Sequence, residues 1–287
     1  MPQRRGLFRA RLDCRPRLRN HAGMRLTPAQ LEQFHRDGVL VLPQLFSPAE
    51  VAVLRAALPA VFAHDTPANF REKDGSKVRT AMGIHLRSPA FAKLVRHPRF
   101  VEPARQILAD EQLYVMQAKV NVKAAFGGDV WQWHYDFATH HREDGIPGPQ
   151  PLNLHVFLDD VTEFNGPLWF IRGSHRDGPA PTGLDTVTTS YALWTVPNDA
   201  VARLAGAGGI LSAHGPAGTG LIFGDLMVHG SPANMSPWDR RIFSLILNPV
   251  ANRQTTFKRP DYQHHRDFTP VEPLADDCLL AEDRVAV

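Results

Sequence analysis

The sequence predicts one α+β domain whose core is a β-sandwich or jelly roll. Two helices with clear start signals stand near the N-terminus, and from residue 113 onward short runs of β-forming residues alternate with turn signals. No internal repeat and no alternation of strands with helices is visible, so a parallel α/β sheet is not expected. The 287 residues, of which 43% are hydrophobic and 21% charged, are enough for a substantial buried core.

The first helix is predicted to begin after Thr27. The Thr27 hydroxyl can cap the helix, Pro28 suits the first helical position, and Gln30 can complete a capping box. Gly38 suits the end of this helix, because glycine adopts the left-handed conformation without strain. The apolar run Val39–Leu42 that follows is predicted to form a buried strand.

A second helix is predicted to begin after Ser47, where Ser47 and Glu50 form another capping box. Its apolar residues recur at helical spacing and are Val51, Leu54, Leu58 and Val61. A third helix is predicted over residues 99–110. These three helices precede most of the β-forming segments, which favours α+β organisation over interleaved units.

The predicted strands of the core are rich in branched and aromatic residues. They are Leu113–Val122, Leu152–Leu158, Leu168–Ile171, Leu221–Phe223 and Ile242–Leu247. The dipeptide Asn165-Gly166 stands between the second and third of these, and Asn-Gly is the preferred hairpin turn, so we expect a hairpin there. Two long polar stretches, residues 138–151 and 176–218, are expected to be irregular, and the first is predicted to be a lid.

Composition and charge exclude several classes of protein. No apolar run of about 18 residues is present, so we expect no membrane span. Cys14 and Cys278 give neither a disulfide framework nor a metal-ligand spacing, which fits a reducing cytoplasm. We therefore expect a cytoplasmic protein.

The net charge of +3 comes from the first 23 residues, which contain seven arginines and one aspartate, so residues 24–287 sum to −3. A folded body of that charge does not indicate nucleic-acid binding. We expect residues 1–23 to be a disordered or untranslated basic extension and residues 24–287 to form one domain. A targeting peptide and a basic arm for a polyanion are the alternatives for the extension.

His-x-Asp is a candidate metal-binding pair, because side chains two residues apart on a strand point to the same face. The sequence contains four such pairs, which are His35-Asp37, His134-Asp136, His175-Asp177 and His265-Asp267. The first ends a predicted helix, the third follows a strand as a turn, and the fourth lies in a polar tail. Only His134-Asp136 has aromatic, strand-like surroundings.

A third candidate ligand is His229, 95 residues further along the chain. Two imidazoles and one carboxylate leave three coordination positions open, an arrangement typical of iron(II) oxygenases, whereas a closed zinc site needs a fourth ligand. Arg240 follows His229 by eleven residues, and its planar guanidinium suits the distal carboxylate of 2-oxoglutarate. Because neighbouring strand residues face opposite ways, Arg241 is expected to face solvent.

The chain resembles the phytanoyl-CoA dioxygenase family of iron(II)- and 2-oxoglutarate-dependent oxygenases, in its ectoine hydroxylase-like branch. The resemblance covers residues 26–252 and is carried by Gln117-Ala-Lys119-Val-Asn121-Val-Lys123, Trp133-His-Tyr-Asp136-Phe137, Asn165-Gly-Pro-Leu168, Gly173-Ser-His175 and the block from His229 to Arg240. It implies a double-stranded β-helix (jelly-roll) core with the N-terminal helices packed on one sheet. It also implies iron(II), 2-oxoglutarate and O₂ as cofactor and cosubstrates.

The resemblance further implies roles for individual residues. It makes His134, Asp136 and His229 the metal ligands and catalytic residues, with Arg240 and Ser231 as the carboxylate clamp. Further cofactor-binding candidates are Gln117, Asn121, Trp131 and Asn153. Substrate-binding candidates are Gln117, Lys119, Arg79, His140, Phe223 and Ser244. Structural roles remain the alternative for the buried polar members, namely backbone hydrogen bonds for Gln117 and Asn121 and ion pairs for Arg79 and Lys119.

Two departures from the branch bear on the substrate. Ectoine hydroxylases have a tryptophan where this chain has His140, and an aromatic residue where it has Ser244. We therefore expect hydroxylation of a small carboxylate-bearing metabolite, an amino acid or an N-substituted amino acid, by a monomer or homodimer. The alternatives are an acyl-CoA hydroxylase, a metal-dependent hydrolase and a catalytically silent metabolite sensor.

Overall fold

The computed structural model describes residues 25–75, 77–188 and 192–281. The expectation for residues 1–23 lies outside these ranges. The α-helices are α1 (Pro28–Asp37), α2 (Pro48–Ala63), α3 (Pro89–Leu94), α4 (Pro98–Leu108), α5 (Phe137–Asp144) and α6 (Asn198–Gly208). Short 3₁₀ helices span Ile84–Leu86 and Val250–Asn252. In the described ranges, no helix is long and apolar enough to cross a membrane.

The strands form two antiparallel sheets that face each other. Their bounds are β1 (Val39–Leu42), β2 (Asn69–Arg71), β3 (Val78–Met82), β4 (Leu113–Lys123), β5 (Trp131–His134), β6 (Leu152–Phe157), β7 (Leu168–Ile171), β8 (Gly183–Asp185), β9 (Leu193–Thr195), β10 (Ile210–Ala213), β11 (Gly220–Gly224), β12 (His229–Ser231) and β13 (Arg240–Pro249). One sheet has the order β1-β11-β6-β13-β4-β3-β2, and the other has the order β10-β7-β12-β5-β9-β8. This is the predicted jelly-roll arrangement.

Both predicted capping boxes are present and fix the starts of α1 and α2. The backbone N–H of Thr27 donates to Gln30 Oε1 at 2.9 Å, and that of Ser47 donates to Glu50 Oε2 at 2.7 Å. Each cap satisfies a donor that the first helical turn leaves without a partner. Gly38 ends α1 in the left-handed conformation, with φ of 79°.

The N-terminal helices cover the outer face of the seven-stranded sheet. The ring of Phe243 on β13 lies 5.4 Å from that of Phe91 on α3 and 6.2 Å from that of Phe100 on α4. All three rings are fully buried, and each contributes about 1.5–3 kcal/mol of hydrophobic stabilisation. Because successive strand residues alternate, Ile242 and Ser244 face the other sheet and line the cavity between the sheets.

The expected hairpin at Asn165-Gly166 is wrong. Strand β6 before it lies in the seven-stranded sheet and β7 after it lies in the six-stranded sheet, so the dipeptide turns the corner between the two sheets. The Asn165 side chain accepts from Thr162 N and donates to Asp160 O, both at 2.8 Å. The dipeptide therefore marked a turn, but long-range pairing decided which sheet the next strand joins.

The two stretches expected to be irregular contain regular structure. Helix α5 occupies the first half of the predicted lid, and Gly145 ends it in the left-handed conformation. The second stretch contains β8, β9, α6 and β10. Short elements such as these depend on tertiary packing more than on local periodicity, which is why the pattern of residues concealed them.

Candidate active site

The three candidate metal ligands meet where β5 ends and β12 begins, at the middle of the six-stranded sheet. His134 is the last residue of β5 and His229 is the first of β12, and the two are direct partners in the antiparallel pairing of these strands. Asp136 lies two residues beyond His134. One ligand atom from each of the three residues lies within 4.8 Å of the others, and among the described residues only this group meets that test.

The two-residue spacing had predicted that Asp136 lies on the same strand as His134, and this prediction is wrong. Strand β5 ends at His134, and Asp136 has helical backbone angles at the start of α5. Its Oδ2 accepts a hydrogen bond from Asn153 Nδ2 at 3.0 Å, and its Oδ1 lies 3.7 Å from His134 Nε2. Asn153, predicted to bind the cosubstrate, thus orients a metal ligand.

The histidines are arranged as neutral ligands. Each ring donates from Nδ1 to a backbone oxygen, His134 to Gln132 O at 2.7 Å and His229 to Met227 O at 2.9 Å. This tautomer leaves the lone pair of each Nε2 for a metal. Burial, together with the charge of His229, lowers the pKa of His134 to about 3, so His134 is neutral at physiological pH. The donor set of two nitrogens and one carboxylate fits iron(II).

Arg240 is buried and forms one corner of a tightly connected clamp. Its Nε donates to Gly166 O at 3.1 Å and its Nη2 donates to Ser231 Oγ at 3.3 Å, while Ser231 Oγ donates to Gly166 O at 3.0 Å. In the described part of the chain, no carboxylate forms a salt bridge with Arg240. A buried guanidinium of this kind is suited to an anionic ligand.

The neighbouring Arg241 points away from the cavity, as the strand alternation predicted. Its Nε and Nη2 donate to the two carboxylate oxygens of Asp159 at 2.6 and 2.7 Å. The predicted orientation is therefore confirmed: the side chain of Arg240 lines the cavity and that of Arg241 does not.

Lys123, for which the sequence had indicated no role, supports the clamp. Its buried Nζ donates to Asp129 O at 2.8 Å, to Ser231 O at 3.2 Å and to Pro232 O. A Cβ on Gly166 would lie 2.6 Å from Lys123 Cδ, and Gly166 has φ of 77°, so this position requires glycine on both counts. The only signal in the sequence for this role was the position of Lys123 directly after the predicted strand Leu113–Val122.

The triad and Arg240 line one cavity of about 300 Å³, whereas Ser231 lies behind Arg240 and is not among the lining residues. Most of the predicted cosubstrate and substrate residues line it, namely Gln117, Lys119, Asn121, Trp131, His140, Asn153, Phe223, Ser244 and Arg240. Residues that were not predicted from the sequence also line it, among them His155, Glu143, Trp194, Arg259 and Gln263. These come from distant segments, and no local motif identifies them.

Arg79 is not among the residues that line the cavity, which favours the structural alternative over its predicted contact with substrate. Its guanidinium lies 4.1 Å from the ring centre of Trp131 and donates to Glu72 Oε2 at 3.1 Å and to Val130 O at 2.9 Å. These contacts place Arg79 behind the cavity wall and fit the ion-pair role that was its alternative.

Two of the other predicted substrate residues are held by neighbours. His140 Nδ1 lies 2.9 and 3.0 Å from the carboxylate oxygens of Asp225, which fixes the orientation of the ring. Lys119 Nζ donates to Gln117 Oε1 at 2.5 Å, and Gln117 Nε2 donates to Gln263 O at 2.6 Å. Burial lowers the pKa of Lys119 to about 8, so the amine is still mostly protonated at neutral pH.

Residues 176–218, the second stretch that was expected to be irregular, also contribute side chains to the cavity wall. Leu184 on β8 and Leu193 and Trp194 on β9 line the cavity, as does Glu143 of α5. The indole of Trp194 donates to Glu143 Oε1 at 3.4 Å, and the guanidinium of Arg142 lies 4.0 Å from its ring centre. The predicted lid thus contributes a helix, and the β8–β9 segment packs against it.

The model of the family described as phytanoyl-CoA dioxygenase (PhyH) matches residues 34–242, which is most of the chain and includes the triad and the clamp. The chain belongs to the phytanoyl-CoA dioxygenase family. This confirms the resemblance on which the predicted roles of the site residues rest.

Relatives with assigned activities match nearly the whole chain. An L-proline trans-4-hydroxylase from Streptomyces griseoviridis is 37% identical over 257 residues, covering 86% of this chain and 96% of that protein. An ectoine dioxygenase from Bordetella bronchiseptica is 36% identical over 275 residues, covering 90% of this chain and 88% of that protein. This phytanoyl-CoA dioxygenase family member is therefore similar to hydroxylases of two different small molecules.

Solved structures confirm the fold. EctD from S. alaskensis with bound Fe has a TM-score of 0.76 and 32% identity, over 87% of each chain. EctD with 2-oxoglutarate and 5-hydroxyectoine has a TM-score of 0.75 and 34% identity, over 87% of this chain and 86% of that one. Together with the relatives, they confirm the predicted class of enzyme, a dioxygenase that uses iron and 2-oxoglutarate.

Proposed function

We propose that this protein is an iron(II)- and 2-oxoglutarate-dependent hydroxylase of a small amino acid or N-substituted amino acid. The observation that carries the proposal is that the His134, Asp136 and His229 cluster and the buried guanidinium of Arg240 open into one cavity. A metal that chelates one end of a dicarboxylate and a cation that binds its other end are the two requirements of such an enzyme.

The residues of the chain bind and orient the reactants. His134, Asp136 and His229 hold the metal, and Arg240 with Ser231 holds the distal carboxylate of 2-oxoglutarate. When bound, iron(II) with O₂ and 2-oxoglutarate supplies the oxidising power that converts a C–H bond to C–OH, while 2-oxoglutarate becomes succinate and CO₂. Phe223, whose ring centre lies 5.0 Å from that of His229, excludes water beside the metal position.

The size of the cavity favours a small substrate. About 300 Å³ accommodates an amino acid beside a five-carbon dicarboxylate, whereas most of an acyl-CoA would have to lie outside. The relative that hydroxylates L-proline supports an amino acid, and His140 and Ser244 replace aromatic residues of the ectoine-binding relatives. The acyl-CoA alternative is therefore less well supported than the amino acid.

The remaining expectations stay proposals. We infer that residues 24–287 form one domain, because segments from both ends of the described chain join the same core. Val39 on β1 pairs with β11, and Val271 N donates to Leu113 O on β4 at 2.7 Å. A cytoplasmic monomer or homodimer is the expected form, and sedimentation of the purified protein tests the oligomeric state.

The test is turnover of 2-oxoglutarate across a panel of substrates. The protein is purified without O₂, supplied with iron(II), ascorbate, 2-oxoglutarate and O₂, and assayed for succinate with L-proline, other amino acids, N-acyl amino acids, ectoine and an acyl-CoA. We expect slow succinate formation alone and faster, coupled formation with an amino acid that gains one oxygen atom by mass spectrometry. Absence of succinate with every compound, together with tight retention of zinc, would favour a hydrolase and contradict the proposal.

A further inference from the structure

A row of three polar side chains crosses the inner face of the seven-stranded sheet. Ser244 on β13 is the direct partner of Lys119 on β4 on one side and of His155 on β6 on the other. Neighbouring strands are about 4.8 Å apart, so the row is about 10 Å wide. All three side chains line the cavity. We call this set the Lys119–Ser244–His155 row.

The polar side-chain atoms of two members of the row, Ser244 and His155, lack partners among the described residues. His155 is 5% exposed and Ser244 is 1% exposed, yet His155 Nδ1, His155 Nε2 and Ser244 Oγ form no hydrogen bond with the described residues. Buried polar side-chain atoms nearly always have a hydrogen-bond partner, because leaving one without costs its full desolvation energy. Atoms that line a cavity can obtain that partner from a ligand.

The charge of the row indicates an anion. Lys119 Nζ donates to the neutral side chain of Gln117, and no carboxylate among the described residues forms a salt bridge with it. Arg259, which also lines the cavity, differs in this respect, because its Nε donates to Asp144 Oδ1 at 2.8 Å and its Nη2 contacts Asp144 Oδ2. A buried cation is stabilised when a negative group pairs with it.

The row and the clamp recognise different groups. Ser244 is four residues beyond Arg240 on the same strand, a separation of about 13 Å along β13. This backbone separation places Ser244 and Arg240 at different parts of the cavity. The distal carboxylate of 2-oxoglutarate is assigned to Arg240 and Ser231, and its other carboxylate to the metal held by His134, Asp136 and His229. The row is therefore left for the second anionic reactant.

We propose that the Lys119–Ser244–His155 row is the subsite for the substrate's carboxylate, with Lys119 as its charge partner and Ser244 and His155 as hydrogen-bond donors. The proposal rests on the proposed function and deepens it, because it assigns a role to His155 and restricts the substrate to molecules with a carboxylate. His155 is then a residue that determines specificity.

The experiment compares a carboxylate substrate with its amide. L-Proline and L-prolinamide are the first pair of probes, followed by any other amino acid that gives coupled turnover and its carboxamide. KM for the amino acid and for 2-oxoglutarate is measured for Lys119→Met, Ser244→Ala and His155→Ala. Binding of each probe to the iron(II) protein with 2-oxoglutarate is measured by calorimetry without O₂. His265→Ala is the matched control, because His265 is also 5% exposed with an unpartnered Nε2 but does not line the cavity.

We expect Lys119→Met to weaken amino-acid binding about a hundredfold, and the Ser244 and His155 variants about tenfold, as loss of charge-assisted and neutral hydrogen bonds implies. KM for 2-oxoglutarate should change by less than about twofold, since the clamp remains intact. The amide should bind wild type weakly and lose little further affinity in the variants. His265→Ala should behave as wild type.

Three results would overturn the subsite: a rise in KM for 2-oxoglutarate alone, equal binding of acid and amide by wild type, or no binding of any amino acid. The first would assign the row to the cosubstrate. Calorimetry requires no turnover, so amino-acid binding without succinate formation would contradict the proposed function and support the subsite. Residual succinate formation by the variants without substrate shows that they are folded.

Discussion

The two halves of the cavity differ in how their polar groups are held. In the clamp half, Arg240, Ser231 and Gly166 bond to one another, and Lys123 holds the backbone beside them. In the substrate half, Lys119 and His140 are held by Gln117 and Asp225, but Ser244 and His155 have no hydrogen-bond partner among the described residues. The clamp half is organised in advance for one ligand, whereas the hydrogen bonds of Ser244 and His155 are completed only when a ligand arrives.

This difference explains how one fold can keep its cosubstrate while relatives hydroxylate different molecules. The clamp half is built from a continuous block, residues 229–240, and the corner at Gly166, so a change there disturbs several bonds at once. The substrate half takes single side chains from separate strands, and each can be replaced alone. His140 and Ser244, for which the resemblance implies aromatic residues in ectoine hydroxylases, are proposed examples of such replacement.

The largest expected effect comes from the metal position, which both halves share. Asp136→Ala removes the only carboxylate of the triad, so succinate formation should fall at least about a thousandfold and the purified protein should lose its iron, because metal affinity depends on charge and ligand number. Turnover of 2-oxoglutarate and metal content measure the two effects. Asp177→Ala is the matched control, because its His-x-Asp pair lies elsewhere and Asp177 is exposed. Equal losses in the two variants would remove Asp136 from the triad.

Changes at Arg240 should have a smaller effect, and one that is confined to the clamp half of the cavity. Arg240→Ala should raise KM for 2-oxoglutarate about a hundredfold, because it removes a buried charge partner of the distal carboxylate, and should alter KM for the amino acid by less than about threefold. KM for 2-oxoglutarate in Arg240→Lys should fall between those of wild type and Arg240→Ala, since an ammonium keeps the charge but cannot reproduce the planar fork of a guanidinium. Arg241→Ala removes the neighbouring arginine that pairs with Asp159, and we expect both KM values to stay close to those of wild type. A larger effect from Arg241→Ala would contradict the assigned facing of β13.

The sequence allowed prediction of the clamp half more fully than of the substrate half, for the same structural reason. His229 and Arg240 stand at a fixed interval within one segment, so the amino-acid sequence alone predicted a role for each of them. His155 carries no local motif, and its role depends on its register with Ser244 on a strand nearly ninety residues away. The predicted helices near the N-terminus were right because their caps are local. The hairpin at Asn165-Gly166 was wrong because the choice between sheets is not local.

The smallest effect on catalysis should come from the framework, where a change should lower stability and leave both halves of the cavity unaltered. Glu50 is 3% exposed in α2, and its Oε2 accepts from Ser47 N at 2.7 Å and from Arg99 Nη1 at 3.0 Å. Burial alone would raise the pKa of Glu50, but the His97 ring at 3.7 Å, the Ser47 bonds and the charge of Arg99 lower it to about 2. The folded state therefore favours the ionised carboxylate.

A folded-state pKa below the unfolded value stabilises the protein above the unfolded value, and the contribution is lost as pH falls from about 4.5 to about 2. Glu50→Gln should therefore lower the free energy of unfolding by about 2 kcal/mol at pH 7, with the difference from wild type shrinking towards pH 3. Urea denaturation of the metal-free proteins at both pH values measures this, so that loss of metal does not contribute. Both KM values should remain at wild-type levels at pH 7. A shift in either KM would mean that loss of stability alone alters the cavity, and the contrast between its two halves would then have to be corrected for folding.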